Sequence, residues 1–114
     1  MSILEKTNEI IEANKTEMLA SLSKLISIPS VAVDTEGDKP FGEEVDKAYR
    51  LMLEMAAAEG FDTFDADGYG GHIDYDGTED GVVGIVGHLD VVPEGDGWDV
   101  EPYSGQIILD EESG

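Results

Sequence analysis

Both histidines of this chain are followed two residues later by an aspartate, as His72-x-Asp74 and His88-x-Asp90. Imidazole is a common zinc ligand, and a carboxylate near its second nitrogen fixes the tautomer and the orientation of the ring. Side chains at positions i and i+2 of a strand point to the same side, so His88 and Asp90 can face one pocket. Because the chain has no cysteine, any metal must bind through histidine and carboxylate groups.

The sequence before His88 sets this pair apart from an arbitrary His-x-Asp. Residues 82–86 read VVGIV, an uncharged and largely β-branched run between Gly81 and Gly87. Such a run predicts a strand that is buried on both faces. In open α/β sheets, ligands bind beyond the carboxyl ends of strands, where His88 would lie. The alternative is that His88 is only a polar residue at a strand end.

The pair of His72 and Asp74 lacks this context. No apolar run precedes it, and Asp76-Gly77 begins a turn soon after it. We predict that residues 71–75 form one arm of a hairpin, with residues 76–81 as its connection. His72 is then an exposed strand residue rather than a metal ligand, because a metal site needs several ligands.

Two helices are predicted before these strands. Residues 2–26 have helical periodicity, with Asn14 as a point where the helix could break, and Pro29 ends it. A second helix is predicted over residues 42–59, with Gly60 in the left-handed conformation that follows many helices. A short strand follows over residues 61–65, and residues 106–114 predict a strand running into a turn. The first helix carries an apolar stripe that predicts packing on the chain's own sheet: Ile11, Met18, Leu22, Leu25 and Ile26.

Composition narrows the possible partners. The 114 residues include 27 acidic and 6 basic side chains, a formal charge of −21. This balance opposes binding to nucleic acid or to an anionic membrane surface, since both require lysine and arginine. The N-terminus has no basic segment followed by an apolar core, and no stretch approaches the length of a membrane span, so we expect a cytoplasmic protein.

The segment GIVGHLDVVPEGDGW resembles the metal-site motif of the M20 family of zinc metallopeptidases, in particular the PepV-type dipeptidases. The resemblance implies an α/β fold in which residues 1–114 are the N-terminal portion of the catalytic domain, with two helices and then a mixed sheet that is incomplete at its C-terminus. It implies two zinc ions per active site and small peptides as substrates. His88 would be a zinc ligand, and Asp90 would be the catalytic carboxylate that orients the metal-bound imidazole.

The sequence departs from that family in what it lacks. The bridging aspartate, the catalytic glutamate, the further carboxylate ligands and the second histidine have no place in residues 1–114. We therefore expect a fragment of a larger enzyme that is inactive by itself. Two alternatives stay open: a deacylase or desuccinylase of N-acyl amino acids in the same family, and a non-catalytic acidic binding domain. The oligomeric state is undetermined.

Overall fold

The computed structural model describes residues 1–109 as an α/β structure with two helices followed by a two-stranded antiparallel sheet. The elements are α1 (Ile3–Ile26), α2 (Glu43–Ala58), β1 (Asp62–Asp65) and β2 (Gly71–Asp74). The predicted class and the order of helices before strands are confirmed. The described residues form two compact units, one of Met1–Ser27 with residues 98–109 and the other of Ile28–Gly97. Among residues 1–109, neither helix combines the length and apolarity needed to cross a membrane.

Helix α1 begins with a capping box. The Ser2 hydroxyl accepts a hydrogen bond from the Glu5 amide at 3.1 Å, and the Glu5 carboxylate accepts one from the Ser2 amide at 2.7 Å. The helix then runs unbroken through Asn14, so the break considered there does not occur. The Asn14 side chain donates to the Ile10 carbonyl at 2.8 Å, which satisfies the amide without interrupting the helix.

The apolar stripe of α1 is uncovered in the described part of the chain. None of the helix residues is buried, and Met18 and Leu22 each keep about half of their surface exposed. Both strands belong to the other unit, so the predicted packing of this stripe on a sheet stays a prediction. Within its own unit, α1 is held near its end, where the Ser23 hydroxyl donates to the Gly105 carbonyl at 2.7 Å.

Helix α2 lies within one residue of its predicted bounds at each end. It ends in a Schellman motif, in which the Phe61 amide donates to the Ala56 carbonyl and the Gly60 amide to the Ala57 carbonyl. Gly60 adopts the predicted left-handed conformation, with φ of 91°. The helix packs on β1, and two of its alanines, Ala48 and Ala56, are the buried apolar residues among residues 1–109.

Strand β2 pairs with the strand before it. In the β1–β2 register, Phe64 lies opposite His72 and Asp65 opposite Gly71. The connection is therefore residues 66–70, and the predicted hairpin through residues 76–81 is wrong. The physical reason is the turn, where Asp67 and Gly68 both take positive φ angles of 54° and 79° and so reverse the chain.

Residues 82–86 differ most from the sequence-based prediction. They are not a strand, and Val82, Ile85 and Val86 are each at least 95% exposed. A strand needs neighbours to pair its backbone groups, and none of the residues described here supplies them for this run. Residues 106–109 are likewise not a strand, and the turn predicted after them lies outside the described residues.

We predict that Gly71→Ala destabilises the hairpin. A Cβ at this position would overlap the Phe64 carbonyl oxygen and lie 2.6 Å from the Tyr49 hydroxyl. We expect a loss of about 1–3 kcal/mol in the free energy of unfolding, the usual cost of an overpacked site. Urea unfolding followed by circular dichroism measures it.

Gly70→Ala is the matched control, because a Cβ there meets nothing within 4 Å. An equal effect of the two substitutions would show that the close approach at Gly71 has no energetic role.

Candidate functional site

His88 follows residues 82–86, which we call the exposed run, and its ring is open to solvent. Its side chain is 80% exposed, and Nδ1 lies 2.9 Å from the Asp90 carbonyl oxygen and 3.2 Å from Asp90 Oδ1. Both of these oxygens can only accept, so the neutral ring carries its proton on Nδ1. Nε2 then keeps its lone pair and points to no described partner, which suits a metal ligand. The roles of His88 as ligand and of Asp90 as its orienting carboxylate stay predictions.

Two hydrogen bonds between Ser30 and backbone groups hold the segment that carries His88. The Ser30 hydroxyl donates to the Leu89 carbonyl at 2.7 Å, and the Val91 amide donates to the Ser30 carbonyl at 3.0 Å. Val31 and Val91 form an isolated parallel bridge beside these bonds. Sequence analysis missed Ser30, since its partners are about sixty positions away. The one local signal is its place directly after the helix-ending Pro29.

His72 has the same ring chemistry in a different setting. Its Nδ1 lies 2.7 Å from Asp74 Oδ2, so its Nε2 is also the nitrogen with a free lone pair. The ring stacks on Phe64, with centroids 4.9 Å apart and planes inclined by 17°. His72 is thus an exposed residue of a hairpin strand, as predicted, and its ring is held against the hairpin by an aromatic neighbour.

The two His-x-Asp pairs line one cleft within the Ile28–Gly97 unit. The cleft has a volume of about 1010 Å³. Its walls also include apolar side chains from α2 and from the exposed run: Val45, Met52, Leu53, Val82, Val83 and Ile85. Across residues 1–109, no group of three or more histidine, aspartate or glutamate side chains is placed to hold one metal ion. Zinc sites normally use three or four protein ligands, so the described residues supply part of a site at most.

A second polar cluster joins α2 to the hairpin. Asp65 accepts hydrogen bonds from the Tyr49 hydroxyl at 2.7 Å, from Arg50 Nη1 at 2.7 Å and from the Gly68 amide at 2.9 Å. The Tyr49 hydroxyl also lies 2.7 Å from the Gly70 carbonyl, so its single proton is shared between two acceptors. The sequence analysis missed this cluster, because Tyr49 and Asp65 belong to different elements.

The cluster shifts two pKa values strongly. Hydrogen bonds from Tyr49, Arg50 and Gly68 lower the pKa of Asp65 from 3.8 to about 2. Burial, followed by the hydrogen bond to Asp65, raises the pKa of Tyr49 from 10.0 to about 12. Perturbed pKa values often mark active sites, but structural networks produce them too. Here the three donors to the carboxylate all come from its own fold, so we assign the cluster a structural role.

Three known proteins similar to this chain are all named as dipeptidases. No family model matches the chain. A Bacillus subtilis protein named "Putative dipeptidase YtjP" is 39% identical over 95 residues, which are 82% of this chain and 20% of that protein. Proteins from Staphylococcus haemolyticus and Staphylococcus aureus, also named "Putative dipeptidase", are 37% and 36% identical over 104 residues, 90% of this chain and 22% of each relative. The chain thus spans about a fifth of the length of the curated relatives it matches.

We predict that Tyr49→Phe raises the pKa of Asp65 from about 2 toward its ordinary 3.8, because the Tyr49 hydrogen bond is the largest cause of the lowered value. The carboxyl ¹³C shift of Asp65, followed through a pH titration, measures it. Tyr75→Phe is the control, since Tyr75 lies outside the cluster and is 83% exposed. An unchanged Asp65 titration in Tyr49→Phe would contradict the prediction.

The same substitution changes the pH dependence of stability. Since folding lowers the pKa of Asp65, its contribution is present above pH 3.8 and is lost as the pH falls through about 2. Since folding raises the pKa of Tyr49, its contribution is present below pH 10.0 and is lost as the pH rises through about 12. In Tyr49→Phe, we expect the decrease in the free energy of unfolding that Tyr49 causes at alkaline pH to disappear. We expect the decrease that Asp65 causes at acid pH to become smaller. Urea unfolding at a series of pH values measures both.

Proposed function

We propose that residues 1–114 are the N-terminal portion of the catalytic domain of a zinc-dependent dipeptidase. The observation that carries the proposal is the His88–Asp90 geometry, which leaves Nε2 of an oriented imidazole available beside an apolar cleft. The dipeptidase names of the relatives support the same reaction. The proposed substrates are small peptides, and the proposed cofactor is zinc, with two ions per active site.

The exposed run supports the part of the proposal that concerns a larger domain. Residues 82–86 have the composition of a strand buried on both faces, yet Val86 is 99% exposed. The cleft beside the run is lined by apolar side chains from the run and from α2. We infer that further chain pairs with this run, consistent with relatives about five times as long as the matched segment.

In this mechanism, the residues of this chain bind and orient. His88 Nε2 would be one zinc ligand, while the Asp90 carbonyl and carboxylate hold the Nδ1 proton and so keep the ring in one tautomer. Bound zinc would polarise the scissile carbonyl and activate water. The general base and the remaining ligands would come from outside residues 1–114, since the described residues contain no complete ligand group.

A second candidate is a non-catalytic acidic binding domain, which the formal charge of −21 would suit. Zinc content distinguishes it from the enzyme, because such a domain needs no metal. The enzyme could instead be a deacylase of N-acyl amino acids. A side-by-side assay of dipeptides and N-acetyl amino acids distinguishes the deacylase from the dipeptidase. The cytoplasmic location and the absence of nucleic-acid partners remain predictions.

We predict that His88→Ala in the complete native polypeptide lowers both bound zinc and the rate of dipeptide hydrolysis. Loss of a ligand removes the metal on which the proposed reaction depends, so we expect the rate to fall at least about 100-fold. Zinc is measured by metal analysis after dialysis, and hydrolysis by release of free amino acids.

His72→Ala is the matched control, because His72 has the same aspartate contact in the other His-x-Asp pair. We expect it to keep zinc and activity. Unchanged zinc and rate in His88→Ala would remove the basis of the proposal, and a loss confined to His72→Ala would transfer the ligand role to His72.

We also predict that the isolated 114-residue chain binds zinc weakly and hydrolyses no dipeptide, because His88, its one predicted ligand, cannot hold a catalytic ion alone. Zinc titration against a chromophoric chelator and a dipeptide assay with added zinc test this. Metal-dependent hydrolysis by these residues alone would mean that the site is complete within them.

A further inference from the structure

Ser30 is the buried polar residue among residues 1–109, with 2% of its surface exposed. A buried hydroxyl costs free energy unless it makes a hydrogen bond, and the Ser30 hydroxyl donates one to the Leu89 carbonyl. His88 and Asp90, by contrast, have side chains that are 80% and 53% exposed. Packing therefore contributes little to holding the His88 ring, and its geometry depends on its contacts with Asp90 and on the backbone that carries the pair.

Two of the hydrogen bonds of Ser30 fall on either side of Asp90. The Leu89 carbonyl, which accepts from the Ser30 hydroxyl, belongs to the peptide plane before Asp90. The Val91 amide, which donates to the Ser30 carbonyl, belongs to the peptide plane after it. Since each peptide group is rigid, one hydrogen bond on each plane restrains the backbone conformation of Asp90.

This conformation determines where the His88 ring is held. The Asp90 carbonyl oxygen lies in the second of the two planes, and it is the nearest acceptor to His88 Nδ1, at 2.9 Å. The Asp90 carboxylate, at 3.2 Å, is attached to the same fixed residue. Both acceptors that select the His88 tautomer are thus placed by Ser30.

We propose that Ser30 is a positioning residue, whose hydroxyl orients the His88 imidazole for metal binding by fixing the peptide planes of Asp90. This inference rests on the proposed function, in which His88 is a zinc ligand. The backbone bridge between Val31 and Val91 could join the two segments with any residue at position 30. The hydroxyl adds the bond to Leu89, and that bond requires serine or threonine.

The test compares Ser30→Ala, Ser30→Thr and Ser27→Ala in the complete native polypeptide. Zinc affinity is measured by returning zinc to the metal-stripped protein in competition with a chromophoric chelator. We expect the Kd for zinc to rise about 10-fold in Ser30→Ala, as is usual when a residue that orients a metal ligand is lost. Ser30→Thr, which keeps the hydroxyl, should bind like the parent. So should Ser27→Ala, because Ser27 bonds to Lys24 within its own helix end.

Two results would overturn the role of Ser30. Parent-like zinc affinity in Ser30→Ala would mean that the hydroxyl does not position the ligand. Equal weakening in Ser30→Ala and Ser30→Thr would mean that the size of the side chain, not its hydroxyl, matters. If Ser30→Ala does not fold, hydrogen exchange of the Val91 amide is measured in the parent. Protection is expected, and an unprotected amide would overturn the proposal, because the two segments would then not be held together.

His88→Ala, measured in parallel, separates failure of this inference from failure of the proposed function. Loss of zinc in His88→Ala with parent-like affinity in Ser30→Ala overturns the inference alone. Parent-like affinity in His88→Ala overturns the proposed ligand, and the inference about Ser30 falls with it.

Discussion

The carboxylate of Asp65 is the interaction on which the organisation of the Ile28–Gly97 unit depends. It accepts from a helix tyrosine, a helix arginine and the turn amide of Gly68, so one side chain joins α2, β1 and the hairpin turn. The buried apolar residues among those described are two small alanines of α2. With so little apolar surface buried, polar contacts of good geometry determine how the helix and the hairpin meet.

The candidate site, elsewhere in the same unit, is also held by a few polar contacts. A single buried hydroxyl and one backbone bridge connect the residues after α1 to those around His88. The side chains proposed for chemistry remain exposed, whereas the backbone that carries them is fixed. Separating a rigid support from accessible functional groups is a common arrangement in binding sites, since loops gain precision from the scaffold beneath them.

Local signals in the sequence predicted the parts of the fold that local interactions determine. The bounds of α2 and the left-handed Gly60 followed from periodicity and from the conformational freedom of glycine. The predicted partner of β2 is wrong, because the chain reverses at Asp67 and Gly68 and pairs β2 with the strand before it. The contacts of Asp65 and Ser30 join residues that are far apart in the sequence, and no local sequence pattern predicts such contacts. For residues 82–86, the composition describes a paired strand, while the described chain holds no strand to pair with it.

The exposed run has a consequence for the synthesis of the longer chain that we propose. A ribosome adds about 5–20 residues per second, so an apolar strand that waits for later partners stays uncovered for seconds. Acidic residues flank this run closely on both sides: Asp74, Asp76, Glu79 and Asp80 before it, and Asp90, Glu94 and Asp96 after it. Charges in these positions act as gatekeepers against pairing between unfinished chains, because like charges repel when two such segments approach. The acidity of this chain would then protect the nascent protein until its sheet is complete.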